Sequence, residues 1–89
     1  MKVIDVLQVS GRGVVIVTDV RHRDVILQLE KGLPVHFRSP DGRLIDSALE
    51  GIELFGSPFN PNKPFMFVLT ANTAKTDIPI GSDVSFEAQ

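Results

Sequence analysis

Turn signals divide this chain into short segments, and the segments between them are rich in β-branched residues with a period of two. The turns are Gly11-Arg12-Gly13, Glu30-Lys31-Gly32, Ser39-Pro40-Asp41-Gly42, the proline- and asparagine-rich stretch 56–64, and Ile78-Pro79-Ile80-Gly81. Two glycines one residue apart permit positive φ on either side of Arg12, as a tight hairpin requires. Val3–Val9 and Val14–Val20 therefore read as a hairpin, with Val14, Ile16 and Val20 on one face. Val25, Leu27 and Leu29 alternate with Ile26, Gln28 and Glu30, the pattern of a half-buried strand. Pro40 fixes φ at the second position of a type I turn and Gly42 relieves the fourth, so 35–38 and 43–45 form a second hairpin. Ser47-Ala48-Leu49-Glu50 fits a helix capping box. Gly51 would interrupt that helix, and Ile52 and Leu54 alternate with Glu53, so strand is favoured over 46–55. Phe65–Thr70 is apolar on both faces and reads as a central strand. Val84 and Phe86 face inward from the last one. Six or seven short strands at this spacing make a closed barrel or a sandwich.

At 89 residues the chain has room for one domain, 1–89. It has no Cys, so neither disulfides nor a Cys-based zinc site can staple it. Stability must come from burial, and 43% hydrophobic residues suffice for one core. Lack of Cys suits a reducing cytoplasm. A net charge of −2 argues against a dedicated nucleic-acid binder. Asp5 interrupts any signal-peptide core near the N-terminus, and no apolar run approaches the roughly 20 residues of a membrane span. Without Trp or Tyr, the six Phe are the aromatic resource for any interface.

Several segments also follow one another in a known order. They are Ile4-Asp5-Val6, Gly11-Arg12-Gly13 with the valine-rich run behind it, Leu29-Glu30-Lys31-Gly32, Gly51-Ile52-Glu53-Leu54-Phe55, and 77–84 with its Gly81. In these the chain resembles, over nearly its whole length, the second, β-barrel domain of elongation factor Tu and related translation GTPases. Gly51–Phe55 is close to that family's glycine-valine-glutamate-methionine pattern. The resemblance implies an all-β fold, a small closed Greek-key β-barrel of six to seven strands, standing without the GTPase domain. It rests on turn and core positions, not on catalytic motifs. A P-loop needs a Gly-Lys pair to cradle phosphates, and the chain has none, so GTP hydrolysis is not expected. The 56–64 stretch does not match the family segment that contacts charged tRNA, and no binding residue is carried over from it.

Candidate chemistry is sparse. Arg21-His22-Arg23, with Arg12 at the opposite hairpin end, is the densest basic run and could meet phosphate or an acidic partner. Asp19 and Asp24 bracket it, and charge clusters at strand ends are usually solvated. Arg38 and Arg43 flank the 39–42 turn and would project from neighbouring strands, either as a basic tip that enters a groove or as a polar edge that discourages aggregation. Phe55 and Phe59 bound the proline-rich loop, either as an exposed interaction surface or as caps on a barrel end. His22 and His36 lack metal-ligand spacing. Nothing forces Asp41, Asp46, Glu50 and Glu53 into an acid–base pair, and no Gly-x-Ser-x-Gly elbow occurs.

The sequence thus leads to the expectation of a cytoplasmic, non-catalytic interaction module without metal or cofactor. It would bind another protein through the barrel surface, with Phe55, Phe59, Arg12, Arg21, Arg23, Arg38 and Arg43 as candidate contacts. An RNA- or ribosome-associated factor is the alternative. A weak homodimer is expected where a neighbouring domain would otherwise cover the barrel.

Overall fold

The computed structural model describes residues 1–25, 28–54, 60–70 and 72–87. Its six strands are β1 (Val3–Val9), β2 (Gly13–Arg21), β3 (Pro34–Arg38), β4 (Leu44–Glu53), β5 (Pro64–Leu69) and β6 (Asp83–Phe86). Short 3-10 turns occupy His22–Asp24 and Lys75–Asp77. The strands form one antiparallel sheet in the order β1-β2-β5-β4-β3-β6. No α-helix occurs among the described residues.

The two expected hairpins are present. Gly11 and Gly13 hold φ of 80° and 114° at the β1–β2 turn, conformations that a Cβ would oppose. In the β3–β4 turn Gly42 N–H donates to Ser39 O at 2.9 Å, and Gly42 holds φ at 89°. The ambiguous 46–55 segment is strand as far as Glu53. Phe65–Leu69 lies between β2 and β4, as its two apolar faces require.

Of three register shifts among the described strands, in β1–β2, β2–β5 and β4–β5, the first and last shape the core. In β1, Val3 and Val6 are an odd number of residues apart, yet both are buried in the core. Strict alternation would send one of them outward. A bulge between Val3 and Asp5 absorbs the extra residue and leaves Ile4 half exposed. Just beyond it, Val6 N–H donates to the Asp5 carboxylate at 2.9 Å. In β4 the last of these shifts falls between Leu49 and Gly51. Leu44–Ala48 pairs with β3, and Leu49–Glu53 pairs with β5.

The expected strand over 25–30 is not found at its described residues. Val25 and 28–30 hold no ladder. The 3-10 turn at His22–Asp24 ends β2, whose two edges β1 and β5 already occupy, and both halves of β4 have their partners. Val25 and Leu29 still pack partly against the core. Alternation here reflects burial without pairing.

Phe37, Phe65 and Phe67 are fully buried at the centre. Phe65 and Phe67 lie 5.6 Å apart between ring centroids, and Phe86 meets Phe67 edge-on at 5.2 Å. Such aromatic contacts add to the area that the rings bury. Thr18, on the inward side of β2, satisfies its hydroxyl by donating to Phe65 O at 2.9 Å. The outer strands also meet. Val3 N–H donates to Ser82 O (2.9 Å), Gly81 N–H to Val3 O (2.8 Å) and Val84 N–H to Met1 O (2.8 Å), and Lys2 bridges Asp83.

Phe67 touches the other aromatic rings of this centre, so Phe67→Ala is expected to cost about 3–5 kcal/mol. Urea unfolding of the variant would measure it, and a loss of less than about 1 kcal/mol would mean that the core collapses around the gap.

Candidate functional site

The candidate residues separate into those tied into the fold and those left available. Arg12 belongs to the first group. From the β1–β2 tip its Nη1 donates to both carboxylate oxygens of Glu53, at 2.7 and 2.8 Å. Glu53 also accepts from Leu54 N–H at 3.0 Å. The Glu53 side chain is 1% exposed and that of Arg12 57%. Ile52 packs toward the core, so Glu53 lies on the outward side of β4 and is nevertheless buried. Val15 and Val68, a cross-strand pair on that same outward side, are buried too. Arg12 reaches Glu53 across this covered patch, so it serves the fold as a clamp. Leu54, which follows β4, is half exposed.

The basic run at 21–23 is engaged locally. Arg21 pairs with Asp24 at 3.3 Å, and Arg23 donates to Asn62 Oδ1 at 2.5 Å. Arg12 sits at the other end of β2, so the structure does not bring it to this cluster. His22 rests against the Phe65 ring with centroids 5.7 Å apart. Phe55 and Phe59 lie outside the described residues.

Arg38 and Arg43 flank the β3–β4 turn as expected. Neither side chain makes a hydrogen bond or ion pair among the described residues. Phe37 points into the core, so Arg38 projects outward. There it lies opposite Leu44 on β4 and Asp83 on β6. The next row inward along the strands is Asp46, His36 and Ser85. Arg38, Leu44, Asp83, His36 and Ser85 from these rows line an open groove of about 380 Å³ on β4, β3 and β6, with Asp46 beside it. Leu44 is 68% exposed at its rim.

His36 is the residue that sequence reasoning missed. Its Nδ1 lies 2.7 Å from Asp46 Oδ1 and its Nε2 2.7 Å from Glu87 Oε2. Ionised carboxylates only accept, so the arrangement is satisfied at both nitrogens when the ring is protonated and donates from each. Its hydrogen bonds to Asp46 and then to Glu87 raise its pKa above the ordinary 6.5. Cross-strand placement was the missing signal, because Asp46 and Glu87 are ten and 51 residues away in sequence. With both nitrogens engaged, His36 is not available as a base for the adjacent Ser85.

Two further carboxylates are tuned. Asp41, in the β3–β4 turn, accepts from Ser39 Oγ and from Arg43 N–H, which hold its pKa down. Asp83 is held down by its hydrogen bond from Lys2 Nζ, at 2.7 Å. Among the described residues no group of three or more His, Cys, Asp or Glu could hold a metal ion. No helix among them is long and apolar enough to cross a membrane.

No protein-family model, curated protein or solved structure matches the chain.

Two predictions follow from the two charge clusters. Arg12→Ala leaves a buried carboxylate short of its cation and is expected to cost about 1–3 kcal/mol in chemical denaturation. Adding Glu53→Met should recover part of that loss, because it removes the orphaned charge; a double variant no better than the single would mean that the clamp acts through packing. For His36, the folded pKa lies above the unfolded one. Its contribution is therefore complete below about pH 6.5 and is lost as pH rises through the folded value. The melting temperature of the native chain should fall over that range relative to His36→Gln, and parallel curves would refute the assignment.

Proposed function

We propose that this chain is a non-catalytic interaction module that binds another protein through the groove on the outward face of β4, β3 and β6. The observation that carries the reading is the groove's composition. It combines an exposed Leu44 with an Arg38 guanidinium that has no ion pair among the described residues, while Lys2 and Asp83 pair with each other and His36 is shared by Asp46 and Glu87. A single exposed leucine is ordinary; what supports binding here is a concave site in which it converges with a few polar groups. The same pairing supports a non-catalytic reading, since the groups best placed for proton transfer are held in ion pairs.

The site's place on the fold is part of the proposal. The hydrogen bonds between Val3 and the 81–82 segment, together with the Lys2–Asp83 bridge, support a sheet closed into a Greek-key barrel. The order of turn motifs supports kinship with the second domain of elongation factor Tu. Fold kinship does not carry function. The alternative, an RNA- or ribosome-associated factor, draws on Arg38 and Arg43 alone, since Arg12, Arg21 and Arg23 are engaged elsewhere. We place the module in the cytoplasm on the absence of Cys.

The test is affinity capture with the native chain and with Leu44→Glu, each with and without nuclease. A protein partner retained by the native chain, insensitive to nuclease and lost with Leu44→Glu at unchanged melting temperature, is the expected result. Partners released by nuclease would move the reading to RNA.

A further inference from the structure

Within the groove the charges are unevenly matched. Lys2 and Asp83 neutralise each other at 2.7 Å. Protonated His36 is shared by Asp46 and Glu87, each at 2.7 Å. Arg38 alone has no ion pair there among the described residues. It stands on β3 between Leu44 and Asp83, on the same outward side as His36. Its charge also helps hold Asp83 low, after the larger effects of Lys2 and of the N-terminal ammonium. Exposed arginines present a planar fork of donors that matches a carboxylate in a bidentate way.

We propose that the groove takes an acidic segment of a protein partner, one carboxylate seated on Arg38 and a neighbouring apolar side chain on Leu44, with His36 setting how well the anion is accepted. This rests on the interaction-module reading above and names the chemistry of its partner. The charges facing His36 are Asp46 from β4, Glu87 from the residue after β6, and Arg38 from its own strand. The Lys2–Asp83 pair, from the residue before β1 and from β6, borders Arg38, and the N-terminal ammonium acts on Asp83 as well. While His36 is protonated, these side chains sum to zero and the N-terminus adds one positive charge, so the local guanidinium and not a large field selects the anion. When His36 loses its proton, the sum falls by one, and the groove holds the same ligand less well. The interaction is at an exposed surface in high dielectric, so the pH effect is modest, about two- to threefold in affinity.

The experiment is a chemical-shift titration of the isotope-labelled full chain. The probe is a capped five-residue peptide alternating glutamate and leucine. The same peptide with lysine in place of glutamate and a short single-stranded RNA are the comparisons. The glutamate peptide is expected to move the amides of Arg38, Leu44 and Ser85, and the lysine peptide to leave them unmoved. Arg38→Ala should weaken binding about tenfold and Arg38→Lys less, as loss and partial retention of a charge-assisted pair predict. Between about pH 6 and about pH 9 the affinity should fall for the native chain and stay level for His36→Gln. The proposal is overturned if these amides do not move, if the lysine peptide moves them equally, or if Arg38→Ala binds like the native chain. It is also overturned if RNA moves the same amides more strongly, or if they move with protein concentration alone, which would make the occupant a second copy. Capture lost with Leu44→Glu but unaffected by Arg38→Ala and pH would leave the interaction reading standing and remove this inference. Capture unaffected by Leu44→Glu would remove both.

Discussion

The sheet depends on one strand serving two partners. β4 pairs with β3 through its first half and with β5 through its second, and the register shift between Leu49 and Gly51 lets it do so. Without that change of partner, β1, β2 and β5 would form one ribbon and β3 and β6 another, joined through the short run of backbone bonds between 1–3 and 81–84. The bend also brings Phe37 on β3 to within 6.4 Å of Phe67 on β5, so backbone geometry and the aromatic core reinforce each other. A bulge that redirects a strand in this way increases local twist, and small β-sheets need twist to enclose a core.

Burial is not confined to the inward face. Val15, Val68 and Glu53 are almost wholly covered although they point away from the aromatic centre. A small domain has too little interior to waste such a surface. Arg12 reaches from the hairpin tip to Glu53 on this side, and its charge is answered there. This arrangement accounts for an arginine that looks from sequence like a binding residue and yet is bound to its own chain. By contrast, the charges around His36 lie near solvent, where pairing does little for stability and much to define which surface remains unmatched.

Much of the strand pattern was legible in the sequence because turns and alternation act locally. Gly11, Gly13, Gly42 and Pro40 announce their hairpins through backbone preference, and Phe65–Leu69 announces its central position by being apolar on both sides. The segment around Val25 and Leu29 misled because alternation records which side chains are buried, not whether the backbone finds a partner. Glu53 misled in the opposite sense, since its outward position says nothing of a guanidinium arriving from 41 residues away. Of the candidate site, Arg38 and Arg43 were legible from the turn they flank. The Asp46–His36–Glu87 cluster was not, because only the antiparallel register of β4, β3 and β6 places the three side by side.

Asp5 gives the first strand a property of its own. An outer strand that offers unclaimed N–H groups can recruit the strand of another molecule and start a growing stack. The Val6 N–H is already taken by the side chain beside it, and the bulge at Ile4 breaks the straight run that an incoming strand would need to follow. One carboxylate and one extra residue thus shorten the straight, unclaimed run of a valine-rich strand, an arrangement that blunts templated pairing.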